Sequence, residues 1–295
     1  MKPLVYLLGL CVLFFSCSSG GENLDVNEIG NGRVISIDPF HGARIVSFSL
    51  DDYNGIVSSE KNGEYYGSTF WPAPQGDWNW PPPQAIDEGA YNKVGKSYLS
   101  TIDDNLQVSA GKEIKIIENE ITEIRYTLKN HGDTILNIGG WEICRVRPGL
   151  SFFPLDTALN MKESNLPGVS ILDSMVWYKY SHELHPVDGK KYFESGREGW
   201  LAHVGGGYLF LKTYADIDID QLPPGHGEIE LYTQGDDPAY TELEIHGPYM
   251  TLNPDEELEF IVRWKLYKIP TEIIIEEGSV SLLEWTRGLV EKQKL

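Results

Sequence analysis

The stretch Thr134-Ile135-Leu136-Asn137-Ile138-Gly139-Gly140-Trp141-Glu142-Ile143-Cys144-Arg145-Val146 decides the fold class. Its β-branched residues and alternating polarity follow a period of two, the signature of a strand. On a strand, Trp141, Ile143, Arg145 and Arg147 share one face, and Glu142, Cys144 and Val146 share the other. Working outward, the same pattern recurs upstream at 33–38, 43–50, 113–118 and 120–129. Downstream it returns at 170–172, 175–180, 199–204, 208–214, 228–232, 241–246 and 257–267. Turn-forming residues separate the runs at Asp51-Asp52-Tyr53-Asn54-Gly55, Glu118-Asn119-Glu120 and Asn130-His131-Gly132-Asp133. Only 279–294 reads as a helix, with Leu282, Leu283, Leu289 and Val290 at helical spacing. No Gly/Ser/Pro linker divides 31–276 and no fixed-period repeat is present. The expectation is one all-β domain over 31–276, two packed antiparallel sheets, closed by a short C-terminal helix within 277–295.

Composition narrows the ligand. The chain has 295 residues with 24 Lys+Arg against 44 Asp+Glu, a formal charge of −20. Such acidity argues against a nucleic-acid partner, which needs a basic face for the phosphate backbone. With 8 Trp and 16 Tyr, several Trp being crowded into one polar segment, neutral ligands with apolar faces fit best, and sugars above all.

The N-terminus reads as an export signal. Lys2 is a minimal positive start, and residues 4–15 form an apolar run too short to span a bilayer as a helix. Leu13-Phe14-Phe15-Ser16-Cys17 resembles a bacterial lipobox, with Phe14 where Leu is usual. The resemblance implies a signal peptide over 1–16, a lipidated Cys17 as mature N-terminus, and attachment to the cell envelope on the periplasmic side or at the cell surface. Residues 17–30, small, polar and Gly/Asn-rich, are expected to be a flexible tether. Cys11 lies in the removed segment, so Cys144 stands alone in the mature chain beside the acylated Cys17. It is expected to be a small buried hydrophobe without a disulfide.

Three segments carry candidate chemistry. The first is Ser68-Thr69-Phe70-Trp71-Pro72-Ala73-Pro74-Gln75-Gly76-Asp77-Trp78-Asn79-Trp80-Pro81-Pro82-Pro83. Its prolines exclude a central strand, because Pro removes a ladder donor, and they stiffen a loop that holds indoles at low entropic cost. Flat indoles pack on the C–H faces of pyranose rings, and the Gln75 amide suits hydroxyls; an alternative is that these rings cap the end of a sandwich. The second segment is the strand quoted above, where Trp141, Arg145 and Glu142 invite either a ligand-facing role or a cross-strand ion pair. The third is Thr241-Glu242-Leu243-Glu244-Ile245-His246, whose Glu242, Glu244 and His246 share a face. Side by side they offer acid–base capacity, or else a solvated edge. Asp216, Asp218 and Asp220 lack the spacing of a helix–loop–helix calcium site and read as a wet strand face. His182 and His185 have no third metal ligand nearby, and neither a metal nor a cofactor is expected.

Taken in order, three motifs resemble a domain-of-unknown-function family of Bacteroidota lipoproteins within the galactose mutarotase-like (aldose 1-epimerase-like) superfamily. They are Gly42-Ala43-Arg44-Ile45-Val46-Ser47-Phe48, then Phe70-Trp71-Pro72-Ala73-Pro74-Gln75, then Glu242-Leu243-Glu244 followed by Leu252-Asn253-Pro254-Asp255-Glu256. The resemblance spans roughly 31–270 and implies a large antiparallel β-supersandwich whose concave sheet binds sugars. It implies Trp71, Gln75, Trp78 and Trp80 as sugar contacts, which Trp141, Arg145 and Glu242 join as candidates by their own chemistry, and Glu244 or Glu242 as general base. Glu142 joins Glu244 as a candidate carboxylate pair in one concavity. Aldose epimerases use a strand histidine as general acid; here Trp141-Glu142 stands where it would be expected, and His203 is the candidate to converge from elsewhere. Three roles are open: a sugar-binding envelope lipoprotein serving glycan uptake or processing, an epimerase or glycoside-cleaving enzyme, and a structural subunit docking through the Trp/Pro loop. The expected partners are a neutral mono- or oligosaccharide and a lipid anchor, with the oligomeric state open.

Overall fold

The computed structural model describes residues 24–59, 65–156, 164–184, 189–235 and 239–293. The expected signal segment and Cys17 lie outside the described residues, as does His185.

Among the described residues, strands and helices follow in this order. The first half holds β1 (Asp25–Gly30), β2 (Arg33–Asp38), β3 (Arg44–Leu50), β4 (Tyr53–Asn54), β5 (Ser68–Ala73), helix α1 (Gln84–Asp87), β6 (Asn92–Val94), β7 (Ser97–Leu99), β8 (Val108–Ile117), β9 (Ile121–Asn130) and β10 (Leu136–Val146). The second half holds β11 (Leu150–Pro154), β12 (Val169–Leu172), β13 (Met175–Lys179), β14 (Lys190–Glu194), β15 (Trp200–Gly205), β16 (Tyr208–Tyr214), β17 (Ile229–Gln234), β18 (Tyr240–His246), β19 (Met250–Leu252), β20 (Glu257–Lys268) and helix α2 (Val280–Val290). Every strand pair is antiparallel.

Two sheets result. The first runs β1-β2-β3-β5-β10-β18-β17-β14, with β4 on β3 and β19 on β10. The second runs β12-β13-β11-β15-β16-β20-β9-β8-β7-β6. Their facing sides share one core: Ile35, Phe48, Phe70, Cys144, Leu243 and Ile245 from the first meet Tyr126, Phe210, Val262, Trp264 and Leu266 from the second. Cys144 is a free thiol in that layer, as its apolar strand implied, and burial pushes its pKa up to about 12. The opposite side of the second sheet buries Phe152, Trp177, Trp200 and Leu211 under Leu282, Leu289 and Val290 of α2. That helix starts where expected, because the Ser279 side chain accepts from the Leu282 N–H and caps it. No helix among the described residues is long and apolar enough to cross a membrane.

Two expectations need correcting. Residues 25–30 do not belong to a tether; they form β1 on the edge of the first sheet, where Ile29 packs into the core and Asp25 accepts from the Tyr98 hydroxyl. One inward apolar side chain was too weak a signal against a polar composition. The Trp/Pro segment is also not wholly irregular. Its first part, Ser68–Ala73, is a buried strand between β3 and β10, pairing with Gly139–Cys144 from Ala73 to Ser68. The β3 pairing stops at Ile45↔Ser68, so the missing N–H of Pro72 is not called upon there.

Candidate functional site

The third apolar layer lies on the outer side of the first sheet and is aromatic. Strand alternation sends Trp141, Ile143 and Arg145 of β10 outward, and register fixes their neighbours. Trp141 lies beside Trp71 of β5 and His246 of β18, Ile143 beside Glu244, and Arg145 beside Glu242. Further across, Glu244 lies beside Glu230 and Glu242 beside Tyr232, which in turn lies beside Lys191 of β14. Five strands thus contribute one row of residues each.

The indoles meet edge to face. The Trp71 ring centroid lies 5.2 Å from Trp141, 5.9 Å from Trp80 and 6.1 Å from Trp78. Their N–H groups are spent locally: Trp71 donates to Asp87 at 2.7 Å, Trp78 to the Pro72 carbonyl at 2.9 Å, and Trp141 to Glu244 Oε2 at 2.8 Å. Trp71 and Trp141 are buried, whereas Trp80 remains 57% exposed. Beside Trp78 a cavity of about 740 Å³ opens along Pro81, Pro83, Glu88, Thr101 and Asp103.

Beneath the indoles lies a charged cluster. Lys191 Nζ sits 2.5 Å from Glu230 Oε2 and 2.8 Å from Glu244 Oε2, and 4.8 Å from the Trp141 ring centroid. Arg145 Nε is 2.8 Å from Glu242 Oε1. Glu230 Oε1 accepts from the Gly227 N–H at 3.0 Å and faces His226 Nδ1 at 2.9 Å and His246 Nε2 at 3.2 Å. The Gln75 N–H donates to His226 Nε2 at 3.1 Å, tying the Trp/Pro loop to this cluster. Burial opposes ionisation of Glu230, yet Lys191 and the two histidines hold its carboxyl well below the usual range. Burial, aided by Glu230 and Glu242, pushes Glu244 well above it. Burial likewise lowers His246 to about 4, leaving a neutral imidazole.

Of the residues singled out from sequence, Trp71, Trp78, Trp80, Trp141, Arg145, Glu242 and Glu244 come together here, and Gln75 joins through its backbone. Two do not. Glu142 points the other way, into the space between the sheets, where it meets Lys212 at 2.5 Å, Tyr126 at 2.9 Å and Trp264 at 3.0 Å. A strand cannot present residues 141 and 142 to one face, so the Glu142–Glu244 pairing in one concavity fails on the period of two. His203 lies on β15 of the second sheet with its Nδ1 2.9 Å from Ser151 Oγ, and burial lowers it to about 4. Asp218 does not sit on a strand; it caps the short turn Ile219–Gln221.

The sequence reading passed over Lys191, His226, Glu230 and Asp87. For His226 and Glu230 the one local signal is His226-Gly227-Glu228-Ile229-Glu230, where a histidine and two carboxylates crowd the start of the strand expected over 228–232; Lys191 and Asp87 carry none.

Residues 161–267 match a family described as a domain of unknown function (DUF4380), a span that contains β14, β17 and β18 but neither β5 nor β10. No curated protein matches the chain. Among solved structures, a galactose mutarotase-like protein from Lactobacillus casei ATCC 334 superposes with a TM-score of 0.55 at 9% identity, over 83% of this chain and 100% of that one. A galactose mutarotase related enzyme from Lactobacillus acidophilus gives 0.53 at 14%, over 85% and 99%. A TPR-domain containing protein from Parabacteroides distasonis ATCC 8503 gives 0.57 at 15%, over 87% of this chain and 48% of that one. The fold is therefore a galactose mutarotase-like antiparallel β-sandwich.

Proposed function

We propose that this protein binds a neutral saccharide on the outer face of its first sheet, against Trp80 and the rim of the indole cluster. The observation that carries the reading is the convergence of Trp71, Trp78, Trp80 and Trp141 with the paired side chains Arg145–Glu242 and Lys191–Glu244. Apolar ring faces beside fixed donors and acceptors match the two faces of a pyranose, and the cavity beside Trp78 offers room for further sugar units. The charges are paired within the site, which favours an uncharged ligand over an anionic one. Calorimetry and tryptophan fluorescence against a panel of neutral mono- and oligosaccharides test it; silence across the panel overturns it.

A second reading, sugar isomerisation of the aldose 1-epimerase kind, is favoured by one placement: Glu244 and His246 lie two residues apart on the same face of β18. Polarimetry decides between the two. Rapid mutarotation of glucose or galactose that Glu244→Gln abolishes supports the enzyme, and unchanged optical decay supports binding alone.

The N-terminal lipobox resemblance is what supports a reading of the protein's location in the cell. We place the protein in the envelope as a lipoprotein anchored through Cys17, serving glycan uptake or processing. Membrane fractionation of wild type against Cys17→Ser checks this, and a variant that is still processed and membrane-bound refutes it.

A further inference from the structure

We propose that His226, Glu230 and His246 form a binding site for a divalent transition-metal ion of the zinc class. Two imidazoles and a carboxylate are the donor set such an ion takes when it keeps a position open for an exchangeable ligand. The three ligand atoms lie within 4.8 Å of one another, at 2.9 Å between His226 Nδ1 and Glu230 Oε1 and 3.2 Å between His246 Nε2 and the same oxygen. Donors bound at about 2.0–2.1 Å to one ion lie roughly 3 Å apart, so little movement is needed.

Two further features point to a cation. His246 is fully buried, and neither of its ring nitrogens makes a well-formed hydrogen bond among the described residues. A single lysine, Lys191, serves two buried carboxylates, Glu230 and Glu244. Lys191 holds Glu230 by Oε2 and so orients Oε1 toward the imidazoles, as outer-shell partners of metal ligands do.

Binding has a structural consequence. The ion takes the place of the proton on His226 Nδ1, and that imidazole then carries its proton on Nε2, where it now accepts from the Gln75 N–H. Two donors cannot face each other, so ion binding releases the Gln75 contact and loosens the Trp/Pro loop. Ion occupancy also removes His246 from acid–base work. The inference stands apart from the sugar-binding reading, because the ion alone is the probe.

The experiment uses the full chain, stripped with EDTA and titrated with Zn²⁺ and Co²⁺. Expected are one ion per chain, visible Co²⁺ absorption bands of a nitrogen/oxygen site, and quenching of Trp141, whose ring lies 5.0 Å from both imidazoles. His246→Gln and His226→Gln should each weaken Zn²⁺ by about 100-fold or more. His226 precedes β17 on a loop and is less deeply buried than His246, so its variant is expected to fold, checked by circular dichroism, and to report where the His246 variant does not. No saturable binding to the wild type, or binding that survives His226→Gln unchanged, overturns the proposal.

Discussion

Two lysine–carboxylate clusters lie on opposite sides of β10, and they differ in what seals them. Between the sheets, Lys212 and Glu142 are both wholly buried, and Tyr126 and Trp264 complete the carboxylate's hydrogen bonds. On the outer face, Lys191 bridges Glu230 and Glu244 while its side chain stays 21% exposed, its ammonium over the Trp141 ring. The chemistry of the pairs is the same and the surroundings decide their use. An ion pair closed on all sides by aromatic rings fixes the packing of two sheets; one that opens at its lysine can exchange a partner for a ligand. The ligand face proposed above is thus the outer side of the first sheet, where the lysine keeps contact with solvent.

That contrast can be broken most severely from the inside. Glu142→Leu strands Lys212 without a counter-charge and should lower stability by about 3–5 kcal/mol, read as a fall in the urea midpoint, with saccharide affinity unchanged in the folded fraction. The outer counterpart, Lys191→Met, should cost about 3 kcal/mol because solvent reaches the site, but it should also abolish saccharide binding. If both variants leave binding intact, the outer cluster has no more to do with ligand than the inner one.

A third buried lysine sharpens the comparison, since its ammonium is held by carbonyls and not by a carboxylate. Lys112 Nζ donates to the Ala43 carbonyl at 2.5 Å, and burial, with Arg44 nearby, lowers its pKa to about 7. The unfolded chain therefore holds more protons at this residue between about 7 and the ordinary 10.5. Stability should rise with pH across that window, by about 2–3 kcal/mol from about pH 6 to about pH 9, and Lys112→Met should flatten the rise in thermal melts. The smallest structural effect belongs to Trp80→Ala, which should change stability by no more than about 0.5 kcal/mol, as expected of an exposed side chain. Its saccharide affinity should nonetheless fall about 10-fold in calorimetry; an unchanged affinity would remove Trp80 from the binding surface.

Much of this was legible in the chain, residue by residue. The alternation Trp141-Glu142-Ile143-Cys144-Arg145 already separated the two clusters, because neighbours on a strand point to opposite faces. Trp141 and Glu142 therefore cannot share one concavity, and Glu142 indeed turns inward to Tyr126. The indoles were visible as a crowded segment, yet Pro72 disguised its first part as loop, since a proline's effect depends on whether the adjacent edge is paired. Lys191, His226 and Glu230 were passed over for a different reason: each is an ordinary polar residue in its own segment, and only their partners make them unusual.

By itself, then, the sequence determined the class of the fold, the inward and outward faces of its strands, the C-terminal helix and the crowding of its tryptophans into one segment. These are local properties, set by a two-residue or a 3.6-residue period and by single capping side chains. The order β5-β10-β18-β17-β14 belonged to the tertiary structure alone. That order brings Trp71, Trp141, Lys191, Glu230 and Glu244 together from segments far apart in the chain. Strand neighbours are chosen by which apolar faces can be buried against one another over long separations, and no periodicity within a strand encodes that choice.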